Sequence, residues 1–240
     1  MAIAEPPLPP PGLPDSPPPL ENGDRLTRHE FERRYEAMPV LKKAELIEGV
    51  VYVPSPVHQR QHSRPHLNLG TWLGTYQART PGVEAGDNGS VRMDMDNMPQ
   101  PDLFLFLDPT YDGQATISGN DYLEGAPELV AEIASSSASY DLHDKLRAYC
   151  RNQVREYLVW RVRDRAIDWF VLNAGQYQRH PADADGIHRS VIFPGLWLDA
   201  EAILRGDLAC VLDVLAEGLA SPAHAQFAAA NRAALSGETR

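Results

Sequence analysis

The sequence of 240 residues predicts an α/β fold in which several strands precede a crossover helix. Residues 103–107 read Leu-Phe-Leu-Phe-Leu, an unbroken apolar run typical of a buried strand. Two further short apolar runs, at 128–135 and 156–162, have the same character. Between these two runs, residues 140–152 place apolar side chains at helical spacing. The central order is therefore helix, strand, strand, strand, helix, strand.

The N-terminal third is predicted to hold a tail, a helix, a hairpin and a second helix. Nine prolines among residues 1–20 exclude a packed element, so we expect 1–25 to form a disordered tail. The segment "TRHE" at 27–30 has the spacing of a capping box and predicts a short helix. The segment "AELIEGVVYVP" at 44–54 predicts a hairpin that turns at Glu48-Gly49. Residues 58–79 are predicted to be helical, with Pro65 in the first turns.

Further elements follow on both sides of the crossover helix. The alternating segment "SVRMDMD" at 90–96 predicts a strand, and the polar, glycine-containing segment 108–127 predicts a loop. Residues 166–180 and 189–199 predict more strands, and the C-terminal region predicts helices. We expect one main domain over 26–205 and a helical extension over 206–240.

Composition places the chain in the globular class. Its hydrophobic content of 43% and charged content of 23% fit a protein with a buried core. No apolar run approaches the ~20 residues of a membrane helix, and the N-terminus lacks the features of a signal peptide. Cys150 and Cys210 show no metal-type spacing and suit a reducing compartment. We therefore expect a cytoplasmic protein.

Charge is distributed unevenly along the chain. The formal net charge of −11 argues on average against nucleic-acid binding. Residues 83–141, however, carry twelve acids and one base, which accounts for the whole excess. Residues 55–82 carry three arginines, three histidines and no acid, and 141–165 carry seven bases and four acids. This pattern is expected of a cation site flanked by surfaces for a polyanion, although ordinary surface variation also produces it.

Two carboxylates and a lysine are candidate functional residues. Asp102 opens the strand at 103–107, Glu132 interrupts the apolar run "LVAEIAS", and Lys145 follows on the crossover helix. A buried carboxylate is costly unless it is paired, hydrogen-bonded or bound to a metal. Two acids and a lysine at the ends of central strands match metal-assisted phosphodiester hydrolysis: the acids bind Mg²⁺ and the lysine stabilises developing negative charge.

Each candidate residue also has an ordinary interpretation. Asp102 could end a strand in water, Glu132 could pair with an arginine inside the fold, and Lys145 could be a solvated helix residue. Two acids also serve glycosidases, but nothing else in the sequence favours a sugar groove.

The segments around these residues resemble the Uma-type family of restriction-endonuclease-like proteins, within the PD-(D/E)XK nuclease superfamily. The matching segments are "ELIEGVVYVPSPVHQ" at 45–59, "PDLFLF" at 101–106 and "PELVAEIASSSASYDLHDKLRAYCRNQVREYLVWRV" at 127–162. The third is the most specific, because Asp141, Lys145 and Tyr149 follow at four-residue steps. The resemblance covers residues 28–205. It implies a mixed β-sheet core flanked by helices, with an added N-terminal hairpin and C-terminal strands and helices.

The resemblance also implies a function. It assigns Asp102, Glu132 and the main-chain carbonyl of Ile133 as ligands of Mg²⁺ or Mn²⁺ in an endonuclease acting on nucleic acid, most readily DNA. The motif lysine is replaced by Ala134, so the ammonium group would come from Lys145.

This replacement leaves an alternative open: a module of the same fold that binds nucleic acid or a protein partner without cleavage. The sequence is also compatible with a homodimer.

A third acid is expected near the pair. Glu48, in the hairpin, either completes the acidic cluster as a catalytic residue or is a polar turn residue, with Glu45 as the weaker alternative.

Three histidines have helical spacing. His58, His62 and His66 would align on one helix and could form a zinc site. Pro65 interrupts the regular spacing, however, and no fourth ligand is evident. We expect His58 to face a phosphate or metal-bound water, because the family pattern carries a histidine there, and His62 and His66 to be solvent-exposed.

Overall fold

The computed structural model describes residues 17–54 and 58–235. Its strands are β1 (Glu45–Ile47), β2 (Val50–Tyr52), β3 (Val83–Asp87), β4 (Val91–Arg92), β5 (Leu103–Leu107), β6 (Thr116–Ile117), β7 (Leu123–Glu124), β8 (Leu129–Ala134), β9 (Glu156–Arg161), β10 (Ala166–Asn173), β11 (Gln176–Arg179), β12 (Ile187–Arg189) and β13 (Trp197–Asp199). Its α-helices are α1 (Arg28–Glu36), α2 (Arg64–Gln77), α3 (Ala138–Tyr140), α4 (Leu146–Arg151), α5 (Ala200–Arg205), α6 (Leu208–Leu219) and α7 (Pro222–Leu235). Short π-helical segments, Gln59–Ser63 and Asp141–Lys145, lead into α2 and α4.

The centre of the fold is a six-stranded mixed sheet with the order β11-β10-β9-β8-β5-β3. Only β8 and β9 are parallel; the other neighbours are antiparallel. A parallel pair needs a crossover connection, and here the helical segments from α3 to α4 supply it. The predicted mixed sheet flanked by helices is therefore confirmed.

The apolar run of β5 is buried on both faces of this sheet. Successive side chains point to opposite faces, so Leu103, Leu105 and Leu107 join the core beneath α2. Phe104 and Phe106 join a second core, which also contains Tyr149 from α4. This two-sided burial explains why the strand reads as a continuous apolar run.

The predicted hairpin is present, and it sits beside a chain segment that was expected to be tail. Strands β1 and β2 pair antiparallel, and Glu48 and Gly49 turn with φ of 52° and 73°, both in the left-handed region that a tight hairpin turn requires. Leu20 is buried against this hairpin, and the Gly23 amide donates to the carbonyl of Val51. The tail predicted at 1–25 was thus too long, because Leu20 buries its apolar side chain against the hairpin. Residues 1–16 lie outside the described residues.

Helix α1 begins where predicted, but without the expected cap. The Thr27 side chain makes no capping hydrogen bond. The Glu30 carboxylate accepts instead from Arg33 and Arg34, at 2.8 and 2.7 Å. Charge-assisted pairs with arginine therefore replace the weaker reciprocal bonds of a capping box.

Tertiary pairing produces strands that differ from the sequence-based expectation in three places. The strand expected at 90–96 shrinks to β4, which forms a small sheet of order β4-β7-β6 with two strands from the predicted loop at 108–127. Residues 83–87, whose sequence "VEAGD" has no strand pattern, become the edge strand β3 because β5 offers a hydrogen-bonding edge. Of the strand predicted at 189–199, Arg189 ends β12 and 197–199 form β13, and the residues between them connect the two strands.

The C-terminal helices pack on the same core as the sheet. Val211 and Leu215 of α6 lie in the core beneath α2, and His224 of α7 contacts the Thr80 hydroxyl at 3.0 Å. Within 17–54 and 58–235, no single helix is long and apolar enough to cross a membrane; α6 and α7 pass that test only as a pair, across a 68° bend.

Candidate metal-binding and catalytic site

Antiparallel pairing of β5 and β8 brings the two predicted acids together. Leu103 lies opposite Ala131, so Asp102 and Glu132 occupy adjoining positions. The Asp102 amide donates to Glu132 Oε2 at 3.4 Å, and the Ile133 amide donates to Asp102 Oδ2 at 2.9 Å. Both carboxylates are buried, with 4% and 2% of their surface exposed. Neither acid therefore ends a strand in bulk water.

Lys145 reaches this pair from the crossover helix. Its Nζ lies 2.8 Å from Glu132 Oε1 and 2.8 Å from Glu45 Oε1, and 3.9 Å from Asp141 Oδ1. One turn further along, the Tyr149 hydroxyl donates to Glu132 Oε1 at 2.8 Å. Both residues sit on the helix face over the sheet, since side chains four apart share a face. The structure thus places Lys145 beside Glu132, as the sequence predicted.

Ala134 carries no charge, and the ammonium group beside Glu132 comes from the helix instead. It lies two residues after Glu132 in β8, so both side chains point to the same face of the sheet. Ala134 is buried within the second core, next to apolar side chains. The helix that crosses this face brings the ammonium group of Lys145 to the acid in its place.

The third acid of the cluster is Glu45, not Glu48. Glu45 is 4% exposed, and its Oε1 also accepts from the Gln100 amide at 2.9 Å. Glu48 sits in the turn, and its Oε2 accepts from Arg151 at 2.7 Å on the surface. The expected place of Glu48 in the cluster was wrong, because a side chain at the tip of a hairpin does not point toward the sheet.

Asp102 has two further basic neighbours, which the sequence reasoning did not foresee. Lys43 Nζ lies 3.1 Å from Asp102 Oδ1 and His62 Nε2 lies 3.2 Å from Asp102 Oδ2. Lys43 is two residues before Glu45, on the segment leading into β1. This spacing of two, which places side chains on one side of an extended chain, is the signal that could have found it.

The prediction that His62 and His66 are solvent-exposed was wrong. Their side chains are only 15% and 13% exposed. Pro65 does not break the helical run: it lies at the second position of α2, directly after the π-helical segment Gln59–Ser63. His58 is exposed at the start of the π-helical segment.

Burial and charge shift the pKa values of the cluster in different directions. Burial raises the pKa of Glu132 to about 8 and that of Asp141 to about 6, although Lys145 lowers both. Burial alone would also raise the pKa of Asp102, but the hydrogen bond with His62 and the charge of Lys43 hold it well below its usual range.

Lys145 remains a cation in this setting. Burial alone would lower its pKa, but the neighbouring carboxylates of Glu132 and Glu45 outweigh that effect and raise it well above 10.5.

The donor set fits a divalent cation. Four buried carboxyl groups lie in the cluster, at positions 45, 102, 132 and 141, against the two ammonium groups of Lys43 and Lys145. The described residues thus leave an excess of two negative charges when all four acids are ionised. Carboxylate oxygens are the ligands that Mg²⁺ and Mn²⁺ prefer.

The cluster forms the wall of a pocket of about 1220 Å³. The pocket wall also carries basic groups outside the acidic cluster, from Lys42, His58 and Arg163, and hydroxyl groups from Ser135 to Ser137. A buried acidic centre with a basic periphery can hold a cation and attract a polyanion to it.

Comparison with known proteins identifies a family and a solved structure of similar fold. The family model Uma2, described as "Putative restriction endonuclease", matches residues 29–201. The fold is similar to a solved structure described as "a putative nuclease belonging to DUF820" from Anabaena variabilis, with a TM-score of 0.56 and 13% identity over 69% of this chain and 91% of that chain. A search of curated proteins finds no match. At this identity the structural match shows a shared fold alone. Because the family model covers well over half of the sequence, the chain belongs to the Uma2 family of restriction-endonuclease-like proteins.

Proposed function

We propose that this protein is a metal-dependent endonuclease that hydrolyses phosphodiester bonds of nucleic acid. The observation that carries the proposal is the meeting of Asp102 and Glu132 in one pocket wall, with Lys145 Nζ 2.8 Å from Glu132. Membership of a family described as "Putative restriction endonuclease" supports it. The ligands of Mg²⁺ or Mn²⁺ would be Asp102, Glu132 and the carbonyl of Ile133.

The protein's own groups would each have a defined task. A bound divalent ion would supply an activated water and polarise the scissile phosphate. Lys43 and Tyr149 would orient the carboxylates of Asp102 and Glu132, to which they are hydrogen-bonded. Lys145 would add positive charge where negative charge develops on the phosphate.

Substrate binding would rest on the basic periphery of the pocket. Lys42, His58 and Arg163 line it and would contact the phosphate backbone. Such contacts do not depend on base sequence, so they support binding of nucleic acid without naming a preferred site.

The test is cleavage of supercoiled DNA, single-stranded DNA and RNA with Mg²⁺ or Mn²⁺, and with the metal removed by chelation. We expect metal-dependent cleavage by the wild type and none by the double variant Asp102→Ala, Glu132→Ala. Glu217→Gln on α6 is the control, because it also removes negative charge, but at an exposed position far along the chain from Asp102 and Glu132. Undiminished cleavage by the double variant would rule the proposal out.

A second candidate function is a module that binds nucleic acid or a protein partner without cleaving. The specific observation in its favour is that basic or hydroxyl groups already contact both acids: Lys43 and His62 at Asp102, and Lys145 and Tyr149 at Glu132. Binding of DNA with a steep dependence on salt, without turnover under any metal, would favour this candidate. Light scattering in the same experiments would test the proposed homodimer.

A further inference from the structure

Two histidines and one acid of the pocket are arranged as the ligands of a single ion. His62 and His66 each offer a ring nitrogen, Asp102 offers a carboxylate oxygen, and these three atoms all lie within 4.8 Å of one another. Two ligand atoms that each lie about 2.0–2.2 Å from one ion are separated by roughly 3.0–4.4 Å, depending on the geometry. The observed spacing is therefore that of a site that needs only small side-chain adjustments.

Local structure holds the two imidazoles in this arrangement. The π-helical segment Gln59–Ser63 continues directly into α2, so His62 and His66 lie one turn apart on one face of a continuous helix. Their ring centroids are 5.5 Å apart, and the rings are nearly perpendicular, at 83°. A perpendicular arrangement lets both rings direct a nitrogen to one point without stacking on each other.

His66 carries an unsatisfied polar atom at this point. Among the described residues, its Nε2 is buried and has no hydrogen-bond partner, although Asp87 Oδ1 lies 3.2 Å away in poor hydrogen-bond geometry. Buried polar atoms are almost always satisfied, and an unsatisfied one calls for a missing partner such as an ion. The neighbouring carboxylate would favour a cation there.

The Asp102 oxygen that faces the imidazoles is Oδ2, which also accepts from the Ile133 amide at 2.9 Å. Lys43 contacts Oδ1, whereas His62 contacts Oδ2 at 3.2 Å. A cation between Oδ2 and the two imidazoles would replace the direct contact between His62 and Asp102, and Lys43 could remain on the other oxygen.

We propose that His62, His66 and Asp102 bind a divalent first-row transition ion, with two imidazole nitrogens and one carboxylate oxygen as protein ligands. The inference deepens the proposed function, on which it rests for the shared ligand Asp102. Imidazole ligands favour transition ions over Mg²⁺, which prefers oxygen. We therefore expect this site to bind an ion such as Mn²⁺, Co²⁺ or Zn²⁺ more tightly than Mg²⁺.

The test uses the full chain with Mn²⁺ as the probe, because Mn²⁺ can occupy either an all-oxygen site or the mixed site. Electron spin echo envelope modulation of the bound Mn²⁺ detects the ¹⁴N nuclei of coordinated imidazoles. We expect ¹⁴N coupling in the wild type and its loss in His62→Gln, His66→Gln together. Each single variant should weaken Mn²⁺ binding by at least about 10-fold, the loss that is typical even for residues behind a ligand. His29→Gln, at an exposed position of α1, is the matched control and should keep both signal and affinity.

Two results separate the inference from the proposed function. Bound Mn²⁺ without ¹⁴N coupling in the wild type would overturn the histidine site, and this measurement does not depend on any variant folding. Unchanged Mn²⁺ affinity in the double histidine variant, with cleavage that still needs Asp102 and Glu132, would also overturn it while leaving the nuclease proposal intact. Conversely, ¹⁴N coupling in a protein that never cleaves nucleic acid would support the histidine site and contradict the nuclease.

Discussion

Replacing Lys145 with methionine tests the charge balance of the buried cluster. Methionine keeps most of the apolar length of the side chain but removes the ammonium group, which lies 2.8 Å from both Glu45 and Glu132. All three side chains are 5% exposed or less, so water cannot replace the lost cation. One further carboxyl group must then take up a proton or remain buried without a partner.

The expected loss of stability follows from the cost of that proton. An ordinary glutamate has a pKa of ~4.3, so holding it protonated at pH 7.5 costs about 4 kcal/mol, and at pH 5 about 1 kcal/mol. The first figure agrees with the roughly 3–5 kcal/mol that follows removal of one partner from a buried ion pair. Because the pKa of Lys145 is raised, the wild-type ammonium stays charged across this range, so the loss that comes from the missing ammonium group occurs in the variant alone and grows as pH rises.

The assay is urea unfolding followed by tryptophan fluorescence at pH 5 and pH 7.5. We expect Lys145→Met to lower the free energy of unfolding by about 4 kcal/mol at pH 7.5 and about 1 kcal/mol at pH 5. Adding Glu45→Gln removes the orphaned charge and should recover much of the loss at pH 7.5. Lys42→Met, at an exposed lysine, is the control. An equal loss at both pH values, or no recovery in the double variant, would refute the reasoning.

Three further predictions concern stability. Gly86→Ala should destabilise the protein by about 1–3 kcal/mol, because an added Cβ would lie 1.9 Å from the ring of Phe104. Gly74→Ala should stabilise the protein by about 0.5–1 kcal/mol, because the added Cβ would meet open space on α2. Calorimetric melting of both variants checks this contrast. Glu156→Ala should cost about 2–4 kcal/mol in urea unfolding, since the buried carboxylate accepts from the segment between β12 and β13; a loss below 1 kcal/mol would contradict this role. Burial raises the pKa of Glu132 to about 8, so its contribution to stability is present below pH ~4.5 and is lost as pH rises to 8. Glu132→Gln should flatten that decline in the free energy of unfolding. An unchanged pH profile of unfolding in the variant would show that other groups cause the decline.

The elements that local pattern marks strongly were predictable from the sequence. The run at 103–107 predicted a buried strand, because five apolar residues in succession satisfy both faces of a sheet. Glu132 was recognisable as a candidate functional residue, because its charge lies inside an apolar strand and a buried carboxylate needs a partner. Weak segments were not predictable: β3 has no strand pattern of its own and forms because β5 offers an open edge.

The sequence by itself therefore predicted the fold class, the family resemblance and three residues that lie together in the buried cluster: Asp102, Glu132 and Lys145. Only the tertiary structure decided that Glu45 rather than Glu48 joins them, and that Lys43 and His62 contact Asp102. Glu45 and Lys145 are one hundred positions apart in the chain, whereas periodicity reports only which face of its own element a side chain occupies. Which faces meet depends on how the hairpin, α2 and the crossover helix pack around one end of the sheet. That packing converts scattered polar residues into one buried, charged pocket.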